Sequence, residues 1–259
     1  MTLSSLEIVL LVGGLGTRLS PELGQLPKPM VDVGGCPFLE RELLHLREFG
    51  IRNIILAVSH RGEAIEERFG DGTSLGMSII YSREAQRLGT AGALRNALPL
   101  LRGDEVFVQN GDSFAEVDYG ELLRFHRAHG GNLTMSVAYM PDCRDYGRLQ
   151  ISEGRVLSFV EKQNSDSSPG YINAGVYVFG REPIETIPAG VVESLENDLF
   201  PALLARGESI YAYCTQGYFL DMGTPQRLQQ LRADFLQGLV PLRGTGSGTV
   251  SPLNRCSRS

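Results

Sequence analysis

An apolar run from Ile8 to Val12 ends abruptly in Gly13-Gly14-Leu15-Gly16-Thr17-Arg18. This junction constrains the chain more than any other feature. The run reads as a buried first strand. The glycines that follow permit φ > 0 and let a ligand approach bare backbone. Successive backbone N–H groups in such a turn form a concave anion site, above all where a helix start follows. Arg18, and Lys28 within Pro27-Lys28-Pro29, bring two cations within reach of the same loop. A strand, a glycine turn, a fork-shaped cation and a flexible one together describe a site for a triphosphate.

Two familiar glycine motifs are excluded. A dinucleotide fingerprint starting from Gly14 and Gly16 needs a third glycine where Leu19 stands, and a P-loop needs Lys then Ser or Thr where Thr17 and Arg18 stand. A tight structural turn is the plain alternative, and Arg18 with Lys28 weighs against it.

The length of 259 residues suits one large α/β domain, and 42% apolar with 21% charged residues is ordinary for a globular chain. A net charge of −6 gives no basic field toward nucleic acid or an anionic membrane, so phosphate binding must come from local cations and backbone dipoles. Cys36, Cys143, Cys214 and Cys256 are widely spaced, which fits reduced thiols better than a zinc site or disulfide frame. The N-terminal apolar run is too short for a signal peptide and follows Glu7, with no basic segment before it. No stretch approaches the roughly 20 apolar residues of a membrane span. A cytoplasmic protein is expected, with no membrane and no nucleic-acid partner.

Strand and helix patterns alternate through the first half: a helix over Pro37 to Phe49, strands over Ile54 to Val58 and Met77 to Tyr81, a helix over Thr90 to Leu100 and a strand over Val106 to Gln109. Ile65 to Phe69 reads as a short helix. This predicts a doubly wound, mostly parallel sheet with ligands at the carboxyl ends of its strands. The second half is richer in strands, at Leu133 to Tyr139, Arg155 to Val160 and Ile172 to Phe179, with helices over Leu195 to Leu204 and Gln226 to Phe235. The expected organisation is one domain over 1–238, split near 130 and 131 into a nucleotide half and a β-rich half, and a disordered tail over 239–259.

Asp112 follows the strand ending at Gln109, and Asp221 follows the apolar run Tyr218 to Leu220. Two carboxylates converging on one sheet edge can hold a hard divalent cation, for which Mg2+ completed by phosphate oxygens is suited. A helix cap or turn is the plain reading of Asp112 taken alone. The four histidines show no metal spacing, and no Ser-centred elbow or Cys nucleophile is evident.

Gly13 to Leu19 followed by Pro27-Lys28-Pro29 resembles the signature of the sugar-1-phosphate nucleotidylyltransferases, or nucleotide-sugar pyrophosphorylases, and the resemblance extends from about Ile8 to about Phe235. Within that family the chain looks most like the D-glycero-D-manno-heptose 1-phosphate guanylyltransferases, through Leu11 to Leu19, Pro37 to Glu40, Leu88 to Ala93 and Tyr218 to Pro225. The resemblance implies a Rossmann-like nucleotide-diphospho-sugar transferase fold. It makes Arg18 and Lys28 the catalytic cations, and Asp112 and Asp221 the Mg2+ ligands. Leu11, Gly13, Gly14, Gly16, Thr17, Leu88, Gly89, Thr90 and Gly111 would bind the nucleotide. Gly147, Glu161, Lys162, Asn173 and Gly175 would bind the sugar phosphate. For Thr90 a helix cap, and for Glu161-Lys162 a solvated face, are the plain alternatives.

The implied reaction passes a nucleotidyl group from a nucleoside triphosphate to a sugar 1-phosphate and releases pyrophosphate. GTP with the heptose 1-phosphate, for a surface glycan, is the leading expectation. Mannose 1-phosphate with GTP, or glucose 1-phosphate with CTP or dTTP, are rivals, because Pro27 to Val31 also resembles those branches. A reading of another class is a catalytically inactive nucleotide-binding regulator, against which the joint retention of Arg18, Lys28, Asp112 and Asp221 argues. Family members are often oligomeric, so a homo-oligomer is an expectation.

Overall fold

Strand β1 (Glu7–Leu11) is hydrogen-bonded in parallel to β2 (Asn53–Val58) on one side and to β4 (Glu105–Asn110) on the other. β3 (Ser78–Arg83) extends the parallel array beyond β2. The computed structural model describes residues 3–14, 26–59, 62–160 and 167–242. Along β1, side chains alternate between two cores. Ile8 and Leu10 pack with Leu39, Leu43 and Leu46 of α1 (Phe38–Glu48), with Ile65 of α2 (Glu63–Phe69) and with Leu122 of α4 (Tyr119–His129). Val9 packs on the opposite face with Ala91, Leu94 and Ala97 of α3 (Gly89–Ala97). Burial on both faces explains why the strand reads as continuous apolar sequence rather than an alternation. Each fully buried aliphatic side chain contributes roughly 1.5–3 kcal/mol.

The sheet continues through β9 (Gly170–Gly180), β6 (Leu133–Met140), β10 (Ile210–Thr215), β8 (Arg155–Val160) and β7 (Arg148–Ser152), in the order β3-β2-β1-β4-β9-β6-β10-β8-β7. β9 runs antiparallel to both β4 and β6, while β6 and β10 are parallel. The α/β class is as expected. Its parallel character belongs to the first four strands, and the β-rich half supplies the antiparallel pairs. A separate two-stranded ribbon joins β5 (Ser113–Ala115) to β11 (Phe219–Asp221). Asp221 therefore ends a strand of this side ribbon and not of the main sheet.

Prolines shape two helices the sequence suggested would be longer. The helix expected over Thr90 to Leu100 gives way after Ala97 to a tighter turn containing Pro99. The helix expected over Leu195 to Leu204 is a wide π-type turn, Leu195–Leu199, followed by α6 (Phe200–Ala205), with Pro201 at the junction. Proline lacks the N–H needed to continue a regular helix. A short α5 (Arg181–Glu185) precedes them, and α7 (Pro225–Leu236) closes the described chain. Although a tail is expected from 239, Val240 is buried in a third core with Val31, Phe114 and Leu228, and Leu242 packs against it. Residues 243–259 lie outside the described residues. Cys36 and Cys143 are reduced thiols, as expected, whereas Cys214 is disulfide-bonded, against that expectation. Among the described residues no helix is long and apolar enough to cross a membrane.

Beneath β4 lies a buried polar chain. Tyr119 donates to Gln109 at 2.6 Å, and Gln109 donates to Glu42. Burial pushes the Glu42 carboxyl up to about 8, partly opposed by the Gln109 hydrogen bond. The folded state thus binds a proton near neutral pH that the unfolded chain releases above the ordinary carboxylate range. Its contribution is present in full below about pH 4.5 and is lost as pH rises toward 8. Glu42→Gln should flatten the decline in stability between pH 5 and 8, read as the urea midpoint against pH. An unchanged slope would mean that Glu42 does not carry the extra proton.

Candidate active site

The carboxyl ends of β1 and β4 open into a cleft of about 1250 Å³. That is larger than the roughly 300–1,000 Å³ usual for one small ligand. Leu11, Gly13, Gly14 and Gly111 line it. The two strand exits stay bonded, Gly111 N–H to the Leu11 carbonyl at 3.0 Å. They approach so closely that a Cβ on Gly111 would lie 2.6 Å from Val12 Cγ1. Ser59 Oγ donates to the Gly13 carbonyl at 2.7 Å, fixing the start of the loop. Neither Gly13 nor Gly14 uses a positive φ, and a Cβ on Gly14 would meet no atom of the described residues within 4 Å. Gly16, Thr17 and Arg18 lie outside the described residues.

One wall is the start of α3. Leu88 is buried behind this wall, while Gly89 and Thr90 face the cleft. Gly89 has φ +72, and a Cβ there would collide with the Glu193 carbonyl; one on Gly92 would lie 2.6 Å from the Val191 carbonyl. These glycines serve close packing of 191–193 on the helix. Thr90 does not cap α3, since its Oγ1 accepts the Leu195 N–H at 2.8 Å and donates to Glu196 at 3.3 Å. Glu84 lines the same end, and its carboxylate accepts the Leu88 N–H at 2.9 Å. Burial raises the pKa of Glu84, against the lowering effect of that bond and of Arg87.

Charge concentrates in the middle of the cleft. Lys28 follows Pro27 in a tight turn, is 8% exposed, and holds Asp112 Oδ2 at 2.6 Å. Asp112 keeps its second oxygen unbonded among the described residues and has a side chain 48% exposed. The side ribbon delivers Asp221 beside it, with Met222 N–H donating to the Asp112 carbonyl at 2.8 Å. Asp221 Oδ1 accepts Gly223 N–H at 2.6 Å and Arg227 Nη1 at 3.1 Å; Oδ2 accepts Tyr146 Oη at 2.6 Å and Arg227 Nη1 at 2.8 Å. Arg227 Nη2 reaches Asp145 at 2.8 Å, and its guanidinium carbon lies 4.5 Å from the Tyr146 ring centre. Burial, and then Asp221, push the Tyr146 phenol well up, so it stays a donor.

Gly147, Asn173 and Gly175 line the remaining wall with the apolar Leu149, Phe159 and Ile172. Gly175 sits at φ +76 inside β9, where a Cβ would come 3.0 Å from Asn110 Nδ2. Asn173 clamps this kink, accepting Gly175 N–H at 2.9 Å and donating to Tyr177 at 2.7 Å. One hydrogen on Nδ2 and one lone pair on Oδ1 remain for a ligand. Glu161 and Lys162 lie outside the described residues. The sequence reading missed Arg227, Glu84 and Asn110, whose buried Oδ1 has no partner among the described residues. The signal for Arg227 was Asp221-x-Gly-Thr224-Pro225-x-Arg227: Thr224 caps α7 by accepting Arg227 N–H at 3.3 Å, which turns the arginine back toward the strand end.

The two kinds of glycine separate experimentally. Gly89→Ala should lower stability by about 1–3 kcal/mol in thermal unfolding, from strain and collision. Gly14→Ala should leave the melting temperature unchanged while weakening nucleotide binding. Equal melting temperatures for all three proteins would contradict the packing role of Gly89.

Residues 7–238 match the nucleotidyl transferase family. A mannose-1-phosphate guanylyltransferase of Mycobacterium tuberculosis is 41% identical over 94% of this chain and 69% of its own length. A catalytic subunit beta of mannose-1-phosphate guanylyltransferase from Drosophila pseudoobscura pseudoobscura is 36% identical over 89% of this chain and 61% of its own. The chain thus spans about two thirds of the length of these relatives. The crystal structure of HddC from Yersinia pseudotuberculosis complexed with GMP-PN superposes with a TM-score of 0.79 at 32% identity, covering 89% of this chain and 99% of that one. The chain therefore belongs to the nucleotidyl transferase family, among its sugar-1-phosphate nucleotidylyltransferases.

Proposed function

We propose that this chain transfers a guanylyl group from GTP to mannose 1-phosphate and releases pyrophosphate. The observation that carries the reading is that one cleft is lined by the strand-exit glycines, by Lys28, and by Gly147 and Asn173 with the apolar Leu149, Phe159 and Ile172. The similarity to mannose-1-phosphate guanylyltransferases supports the choice of base and sugar. The heptose 1-phosphate is the second reading, supported by the four segments that resemble that subgroup. Its ring shares the manno configuration.

The acceptor phosphate is already an anion near neutral pH, so attack on the α-phosphorus needs no general base. The barrier lies in bringing two anions together and in charge growing on the leaving pyrophosphate. Positioning and fixed positive charge answer both. Lys28 leaves Asp112 for the α-phosphate and the acceptor phosphate, as a point charge between them. Arg18 takes the β- and γ-phosphates with its bidentate fork. Leu11, Gly13, Gly14, Gly16, Thr17 and Gly111 would bind the nucleotide. Gly147, Glu161, Lys162, Asn173 and Gly175 would bind the sugar phosphate. Asp112 and Asp221 fit a divalent cation in donor type, being adjacent oxygen donors at one side of the cleft. Among the described residues no group of three or more ligating side chains exists, so phosphate oxygens would complete the coordination. Bound there, Mg2+ would neutralise phosphate charge and align the attack.

Glu84 favours guanine chemically. A carboxylate accepts hydrogen bonds only, and guanine offers adjacent N1–H and N2–H donors where other bases offer an acceptor. Glu84→Gln should lower kcat/KM for GTP about 10–100-fold, the worth of a hydrogen bond to a charged group, and relax preference among triphosphates. Pyrophosphate release with five triphosphates against mannose, heptose and glucose 1-phosphates tests the whole reading. Release with GTP and mannose 1-phosphate is expected. Release only with the heptose moves the sugar, and silence across folded protein contradicts the reading.

A further inference from the structure

Asp221 is saturated where Asp112 is not. A carboxylate offers about four lone-pair positions. Those of Asp221 are filled by Gly223 N–H, the Tyr146 hydroxyl and two contacts from Arg227. Its charge is also neutralised at 2.8 Å by a guanidinium whose side chain, like that of Asp221, is 18% exposed. A divalent cation cannot ligate Asp221 without displacing one of these partners, and Arg227 is the one whose like charge opposes it. Among the described residues Asp112 is held through one oxygen only, and its side chain is 48% exposed. Arg227 in turn lines the cleft that holds Lys28. A planar guanidinium that leaves a carboxylate finds its best alternative partner in a phosphate, which matches the same fork.

We propose that Arg227 is an exchangeable counter-ion of Asp221. In the acceptor-free protein it occupies the carboxylate and weakens metal binding; the phosphate of the sugar 1-phosphate draws it away and opens Asp221 to the cation. This rests on the reading that Asp112 and Asp221 hold the metal. Acceptor binding and metal binding are then coupled, and the coupling is reciprocal: each raises the affinity of the other by the same factor. Arg227 acts here as a positioning residue for the metal site.

Mn2+ binding followed by electron paramagnetic resonance, without triphosphate, tests this on the full chain. In the wild type, saturating mannose 1-phosphate should tighten Mn2+ binding about tenfold, within the usual range of coupling. Inorganic phosphate should do so more weakly. Arg227→Gln should bind Mn2+ more tightly than the wild type in the absence of any phosphate, and mannose 1-phosphate should add little. Arg227→Lys keeps the charge and should restore part of the coupling. If Arg227→Gln binds Mn2+ no more tightly than the wild type, or keeps the full coupling with its melting temperature intact, the counter-ion role is wrong. If no variant binds Mn2+ even with GTP present, the metal reading itself fails and takes this inference with it.

Discussion

Lys28 is the charge the cleft is built around. Its ammonium is almost wholly withdrawn from water, and it is tolerated because Asp112 meets it at 2.6 Å. An unpaired buried charge would cost several kcal/mol. That pairing needs three separate pieces of chain in register. The turn at Pro27 must present the lysine, β4 must end at Asn110, and the side ribbon must hold the Asp112 backbone through Met222. The parallel strands bring these together, because parallel pairing puts the exits of β1 and β4 at one edge.

In a chain of net charge −6, opposite charges pair off at the centre of the cleft. Its two central carboxylates are each covered by a cation, Asp112 by Lys28 and Asp221 by Arg227. Such pairs remove the cost of isolated charges before substrate arrives. They also make substrate binding an exchange of partners in place of a simple addition. A phosphate entering this site competes with carboxylates for cations already in position, which favours ligands with several phosphates over those with one.

The strands most legible in the sequence are those buried on both faces. β1, β2 and β4 are continuous apolar runs bounded by glycine or polar residues, and they fall within a residue or two of their expected limits. β7 was silent because Arg148-Leu149-Gln150-Ile151-Ser152 has only two apolar residues, and β10 because a short unalternating run such as Ile210 to Cys214 fits strand or helix alike. At the site, Lys28, Asp112, Asp221 and the strand-exit glycines line one cleft, as their positions in the sequence suggested. The partners of those residues were not legible. That Thr90 would bind the 195 turn, and that Arg227 would cover Asp221, depends on contacts between segments distant in sequence or on a helix cap's orientation.

The most direct test of the central role of Lys28 is pyrophosphate release by Lys28→Ala beside the wild type, with melting temperatures for both. A fixed charge acting on the transferring phosphate predicts a loss of about 10²–10³ in kcat, the size seen when one preorganised stabilising group is removed. The melting temperature should change little, because the released Asp112 is half-exposed. Turnover within threefold of the wild type, in protein equally folded, would contradict it.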